Sequence, residues 1–75
     1  MWTLTDNITT DVYTFSDKYD LEDKLYELFD LYAYAYDDAD GNGHTIKEVI
    51  DSLVDKLNRG EYPGVEEAAL NITIK

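Results

Sequence analysis

Residues 29–38 read FDLYAYAYDD, and the fold turns on how this stretch is taken. Three tyrosines alternate with alanines, and acids stand on both sides. As a strand, it puts Tyr32, Tyr34 and Tyr36 on one face, because strand side chains alternate with a period of two. As a helix, it scatters them around the axis.

The residues upstream favour the helix. At 100° per residue, Leu21, Leu25, Leu28, Phe29, Tyr32, Ala35 and Tyr36 fall on one side, and positions 21, 25, 28, 32 and 35 form a continuous apolar stripe. This predicts a first helix that opens within Asp17–Asp20 and runs through the tyrosines. Asp17 or Asp20 would be its N-cap, with Asp20, Glu22 and Asp23 at the positive end of the helix dipole. Tyr32 and Tyr36 would lie at the core edge and Tyr34 on the far side.

On that far side, Asp23, Glu27, Asp30, Tyr34 and Asp37 follow at steps of three or four. They would form one acidic ridge about 21 Å long at 1.5 Å per residue, with Tyr26 beside it. The carboxylates would then be spaced roughly as phosphates are along one nucleic-acid strand. Like charges at such steps destabilise a helix slightly, and Lys24, the base in the body of this helix, projects elsewhere.

Toward the N-terminus, Trp2–Thr5 and Val12–Phe15 alternate apolar and polar and are rich in β-formers, which predicts a hairpin with its turn at Asp6–Asp11. Toward the C-terminus, residues 38–44 (DADGNGH) read as a loop broken by Gly41 and Gly43. Thr45-Ile-Lys-Glu48 opens a second helix as a capping box. Its apolar stripe is Ile46, Val49, Ile50, Leu53 and Leu57, and Gly60 stops it. Tyr62-Pro63-Gly64 is a turn, Val65–Leu70 a single helical turn, and Asn71–Lys75 a last strand pairing with the hairpin. The expected fold is α+β in one domain, residues 1–75. Its order is β-β-α-α-β, a three-stranded antiparallel sheet with two helices on one face.

Seventeen acids against six bases give a net charge of −11. Self-repulsion of that size works against a compact state. Residues 17–38 carry eight acids and two lysines, whereas residues 45–60 carry three acids and three bases. The excess is therefore local. The missing basic footprint argues against direct nucleic-acid binding and against a membrane surface. No apolar run approaches the ~20 residues of a membrane span, and MWTLTDN lacks the features of a signal peptide. The expectation is a cytoplasmic protein in which the N-x-T sequons at Asn7 and Asn71 are chance. Without cysteine there are no disulfides and no thiolate metal sites.

Asp38, Asp40, Asn42 and Gly43 match the opening of a calcium-binding EF-hand loop. The pattern then departs: Val49 stands where the bidentate glutamate belongs, and Glu48 is one place early. Asp38, Asp40, Asn42 and Glu48 are thus a weak candidate cation set, with no metal or other cofactor expected. His44 is the one histidine, and nothing in the spacing joins it to Ser16 or Ser52 as a catalytic pair. No phosphate-binding or dinucleotide motif is present. The expectation is that the chain is not an enzyme.

Small size, absence of cysteine, strong acidity and the β-β-α-α-β order together resemble phage-encoded inhibitors of host defence. These are the anti-CRISPR and anti-restriction DNA mimics, some of which share that order. The resemblance implies a non-enzymatic inhibitor that occupies a Lys/Arg-rich nucleic-acid-binding site of a defence complex in the host cytoplasm. It assigns no residue roles. The reading of the residues places the contact at Asp23, Glu27, Asp30, Tyr34 and Asp37, extended by Asp38 and Asp40. Two other readings stand beside it: a calcium-responsive binding module using the 38–48 loop, and an acidic structural adaptor of a phage or mobile element.

Overall fold

A computed structural model describes all 75 residues, 1–75. The chain forms β1 (Trp2–Asp6), β2 (Val12–Phe15), α1 (Lys18–Leu28), β3 (Tyr34–Asp37), β4 (Gly43–Thr45), α2 (Ile46–Asn58), α3 (Gly64–Leu70) and β5 (Ile72–Ile74). β1 is the centre of an antiparallel three-stranded sheet in the order β2-β1-β5, and β3 and β4 make a separate antiparallel hairpin. The fold is α+β as expected. The simpler β-β-α-α-β order is corrected by the second hairpin and the third helix.

The N-terminal hairpin forms where its alternation places it. Asp6 organises its turn: the carboxylate Oδ1 accepts from the backbone N–H groups of Ile8 (2.9 Å) and Thr9 (3.3 Å). The register sets Leu4 opposite Tyr13 on one side and Ile74 on the other. That row faces the core, with Leu4 fully buried.

Asp17 caps α1, accepting from the N–H groups of Tyr19 and Asp20 at 2.9 Å each. Leu21 and Leu25 are fully buried. The helix then stops at Leu28, before the tyrosines it was expected to run through, and Phe29 is already extended. Three physical reasons account for this correction. No basic residue in the last turn offsets the negative end of the helix dipole. Continuing would have kept Glu27 and Asp30 at a repulsive i,i+3 spacing. Finally, Tyr32, Tyr34 and Tyr36 are β-formers, and Asp30 closes a turn in which its carboxylate accepts from Tyr32 N–H and its carbonyl from Ala33 N–H.

The redirected segment satisfies the start of α2. The first four N–H groups of a helix lack internal partners. Here Ile46 N–H donates to Ala33 O and Lys47 N–H to Leu31 O, both at 2.9 Å, and Glu48 N–H donates to the Thr45 hydroxyl. Thr45 is thus the cap that the sequence signals, but Glu48 does not complete the box and turns to His44 instead.

Gly60 ends α2 at φ +74°, where its N–H meets Leu57 O and the Glu61 N–H meets Lys56 O. Val49, Ile50, Leu53 and Val54 of α2 join Leu4, Leu21, Leu25, Leu70, Ile72 and Ile74 in one core. No helix is long and apolar enough to cross a membrane.

Candidate functional site

The early end of α1 breaks the expected acidic ridge into three parts. Asp23 and Glu27 remain one turn apart on the exposed side of α1. Asp30 is in the turn that follows. Tyr34 and Asp37 are on β3, and burial followed by the nearby Asp37 carboxylate raises the Tyr34 pKa. Asp38 and Asp40 belong to the β3–β4 loop. A single 21 Å helical ridge is therefore corrected to an acidic surface assembled from helix, turn and hairpin.

The tyrosine placements change as well. Tyr32, expected at the core edge, is 82% exposed. Tyr34 is exposed as expected, though from a strand, and its ring lies over Gly43. Tyr36 keeps partial contact with the core and stacks on His44 with ring centroids 5.1 Å apart.

Tyr26 joins the two helices. Its hydroxyl donates to Asp51, which also accepts from the Lys47 ammonium at 2.7 Å. The ammonium in turn sits 5.7 Å from the centre of the Tyr26 ring. The bond to Asp51 pushes the Tyr26 pKa up, with burial adding to it. Burial alone would raise Asp51, but the bonds from Lys47 and Tyr26 outweigh it and hold that carboxyl below its usual range. Burial, followed by the charges of Asp51 and Asp23, raises Glu22.

At the other end of the hairpin, His44 is clamped. Its Nε2 lies 3.0 Å from Asp38 Oδ2 and its Nδ1 2.7 Å from Glu48 Oε2. The bond to Asp38 and then that to Glu48 raise the His44 pKa. Asp38 also accepts the N–H groups of Asp40 (2.9 Å) and Asn42 (3.0 Å) through Oδ1. The Asn42 bond first, then His44, lowers its pKa.

This arrangement differs from an EF-hand loop. A strand, not a helix, enters the loop, and Asp38 and Glu48 are both engaged with His44. No group of three or more His, Asp or Glu side chains is arranged to hold a metal ion. Ser52 donates to Glu66 rather than to His44. The i,i+4 spacing of His44 and Glu48 was the available sequence signal for the clamp. The Tyr26–Asp51 contact, 25 residues apart, had none.

Outside these clusters the acids are largely unpaired. Seven of the seventeen lie within 4 Å of a Lys, Arg or His nitrogen, which leaves ten without a cationic partner. The bases of the α2 region are all engaged: Lys47 with Asp51, Lys56 with Glu66, Arg59 with Asp55 and Glu61. Lys24 reaches Glu27 at 3.5 Å but also lies 4.8 Å from the Tyr13 ring, toward the sheet. Asp17, Asp20, Asp23, Asp30, Asp37 and Asp40 all face solvent with no base beside them. Comparison with protein-family models, with curated proteins and with solved structures finds no match to this chain.

Proposed function

We propose that this protein is a non-enzymatic inhibitor whose acidic surface occupies the Lys/Arg-rich nucleic-acid-binding site of a host defence complex, in the cytoplasm and without a cofactor. The observation that carries the reading is the one-sided use of charge. The bases of the α2 region are internally matched, while the exposed Asp17, Asp20, Asp23, Asp30, Asp37 and Asp40 have no cationic partner within the chain. A surface held unneutralised against its own repulsion suits a positively charged partner, which it would steer into contact by complementary charge.

Tyr19, Tyr32 and Tyr34, exposed on and after α1, suit such an interface. Each offers a rigid ring with a polar tip at low entropic cost. The contact residues are Asp23 and Glu27 from α1, Asp30 from the turn, Tyr34 and Asp37 from β3, and Asp38 and Asp40 from the loop. Part of Asp38 is committed to His44 and to its own loop, so its share is the smaller. The resemblance to anti-CRISPR and anti-restriction mimics now stands on size and charge, since the element order differs from the one that entered it.

The test is an affinity capture from lysate of the native host, at low and high salt, with and without duplex DNA as competitor. The expected result is a nucleic-acid-handling complex that is held at low salt and displaced both by DNA and by salt. A partner indifferent to both would make the acids a solvated face and favour the adaptor reading.

A further inference from the structure

α3 is built with its charges inward. Glu66 and Glu67 are 5% and 7% exposed, whereas Val65 is 64% exposed and Ala68 and Ala69 face solvent. Glu66 is accounted for: Lys56 Nζ lies 2.7 Å from one carboxylate oxygen and 3.1 Å from the other, and the Ser52 hydroxyl donates at 3.2 Å. Glu67 is not. Its Oε2 accepts a long bond from the Tyr62 hydroxyl at 3.3 Å, and its Oε1, shielded from solvent, has no hydrogen-bond partner. Lys56 and Arg59 are already engaged with other acids. A buried acceptor left without a donor is a costly arrangement, more so for a carboxylate.

The side chain that reaches Glu67 comes from Tyr62, just before α3. The Tyr62 ring lies across Gly64, where an added Cβ would come within 2.9 Å of it. The ring is nonetheless 77% exposed, so its outer face is free. Gly64, Val65 and Ala68 keep the helix surface beside it small and uncharged.

We propose that the exposed Tyr62 ring turns off Gly64 to admit a partner to Oε1, and that Glu67 and Tyr62 form a receptor for one arginine or lysine side chain of a partner protein. The guanidinium or ammonium group donates to Oε1, and the Tyr62 ring packs on the cation. Charge complementarity selects this occupant. The one unmatched buried acceptor is anionic, the residue that hydrogen-bonds its carboxylate carries an aromatic ring, and the chain as a whole is strongly negative. The site does not rest on the acidic surface of α1, since α3 packs on α2 and β5.

The test is an NMR titration of the full chain with N-acetyl-arginine amide at constant ionic strength. Signals are followed from the Tyr62 ring and the Gly64–Glu67 amides, and the uncharged citrulline analogue serves as control. Saturable shifts at these residues are expected with the arginine probe alone. Glu67→Gln, which keeps the shape and removes the charge, should weaken this binding about tenfold or more. Tyr62→Phe, which keeps the ring and frees Oε2, should bind at least as tightly as the parent. Absent shifts, shifts unchanged in Glu67→Gln, or weaker binding in Tyr62→Phe would each overturn the proposal.

Discussion

α1 and α2 lie side by side over the same core and treat charge in opposite ways. α2 pairs Lys47 with Asp51 and Arg59 with Asp55 along its own surface, and Lys56 reaches across to Glu66. α1 offers Asp20, Asp23 and Glu27 to solvent with Lys24 as its nearest counter-charge. Their buried sides are equivalent: Leu21 and Leu25 from one and Ile50 and Leu53 from the other are fully inaccessible. Stability therefore does not require the acidity of α1. The chain demonstrates in α2 that it can balance a helix, so the imbalance of α1 is better explained by something outside the chain.

The largest effects test the equivalence of the two buried sides. Leu25→Ala and Leu53→Ala should each cost about 2–5 kcal/mol in urea unfolding. For a domain of this size that approaches the whole stability, roughly 4–11 kcal/mol. A mild loss for one and a severe loss for the other would break the comparison.

Lys56→Met comes next, because it leaves Glu66 buried without its cation. The expected cost is about 3 kcal/mol at pH 7. Burial would raise the Glu66 pKa, but Lys56, its own backbone N–H and Ser52 together lower it below the ordinary value. A lowered folded pKa contributes stability that is present above the unfolded value of 4.5 and lost as pH falls. The gap between parent and Lys56→Met should therefore narrow as pH falls below 4.5, through the lowered folded pKa. A gap independent of pH would contradict the pairing.

The His44 clamp gives a smaller effect of the opposite sign. The folded pKa of His44 is raised above 6.5, so its contribution is fully present below that value and fades as pH rises through the folded pKa. Asp38 is lowered below 3.8, so its share is lost only in stronger acid. The melting-temperature difference between parent and His44→Gln should be largest between about pH 4 and 6.5 and shrink above neutrality. A difference that grows with pH would rule out the clamp.

The smallest effects separate the two helices directly. Asp23→Lys on α1 relieves repulsion and should stabilise by about 0.2–0.5 kcal/mol, whereas Asp55→Lys on α2 breaks the pair with Arg59 and should destabilise by a similar amount. Equal signs in thermal melts would remove the contrast between them.

The hairpin, both helix caps, the glycine stop of α2 and the pairing of the last strand were all legible in the sequence. Each depends on contacts within a few residues or on a clean alternation. The stretch from Phe29 to Asp38 was not. Leu28, Tyr32 and Tyr36 are four residues apart, and four is both an even number and roughly one helical turn. The same apolar spacing thus satisfies strand and helix. What decides between them is non-local: Leu31 and Ala33 carbonyls accept the first N–H groups of α2, 13 or more residues onward. The acidic residues named from the sequence are real surface residues, but their arrangement on one helix face could not survive that turn. Buried acids on α3 escaped notice because a Glu-Glu pair in a short segment reads as solvated surface.

The most direct test repeats the host-lysate capture with two variants that carry the same change in charge. Asp23→Lys/Glu27→Lys reverses two exposed acids of α1, and Asp55→Lys/Glu61→Lys reverses the two partners of Arg59. The account predicts that the first variant loses the nucleic-acid-handling complex while the second retains it at low salt. Equal retention by both variants, or equal loss, would mean that the α1 surface is not the binding site.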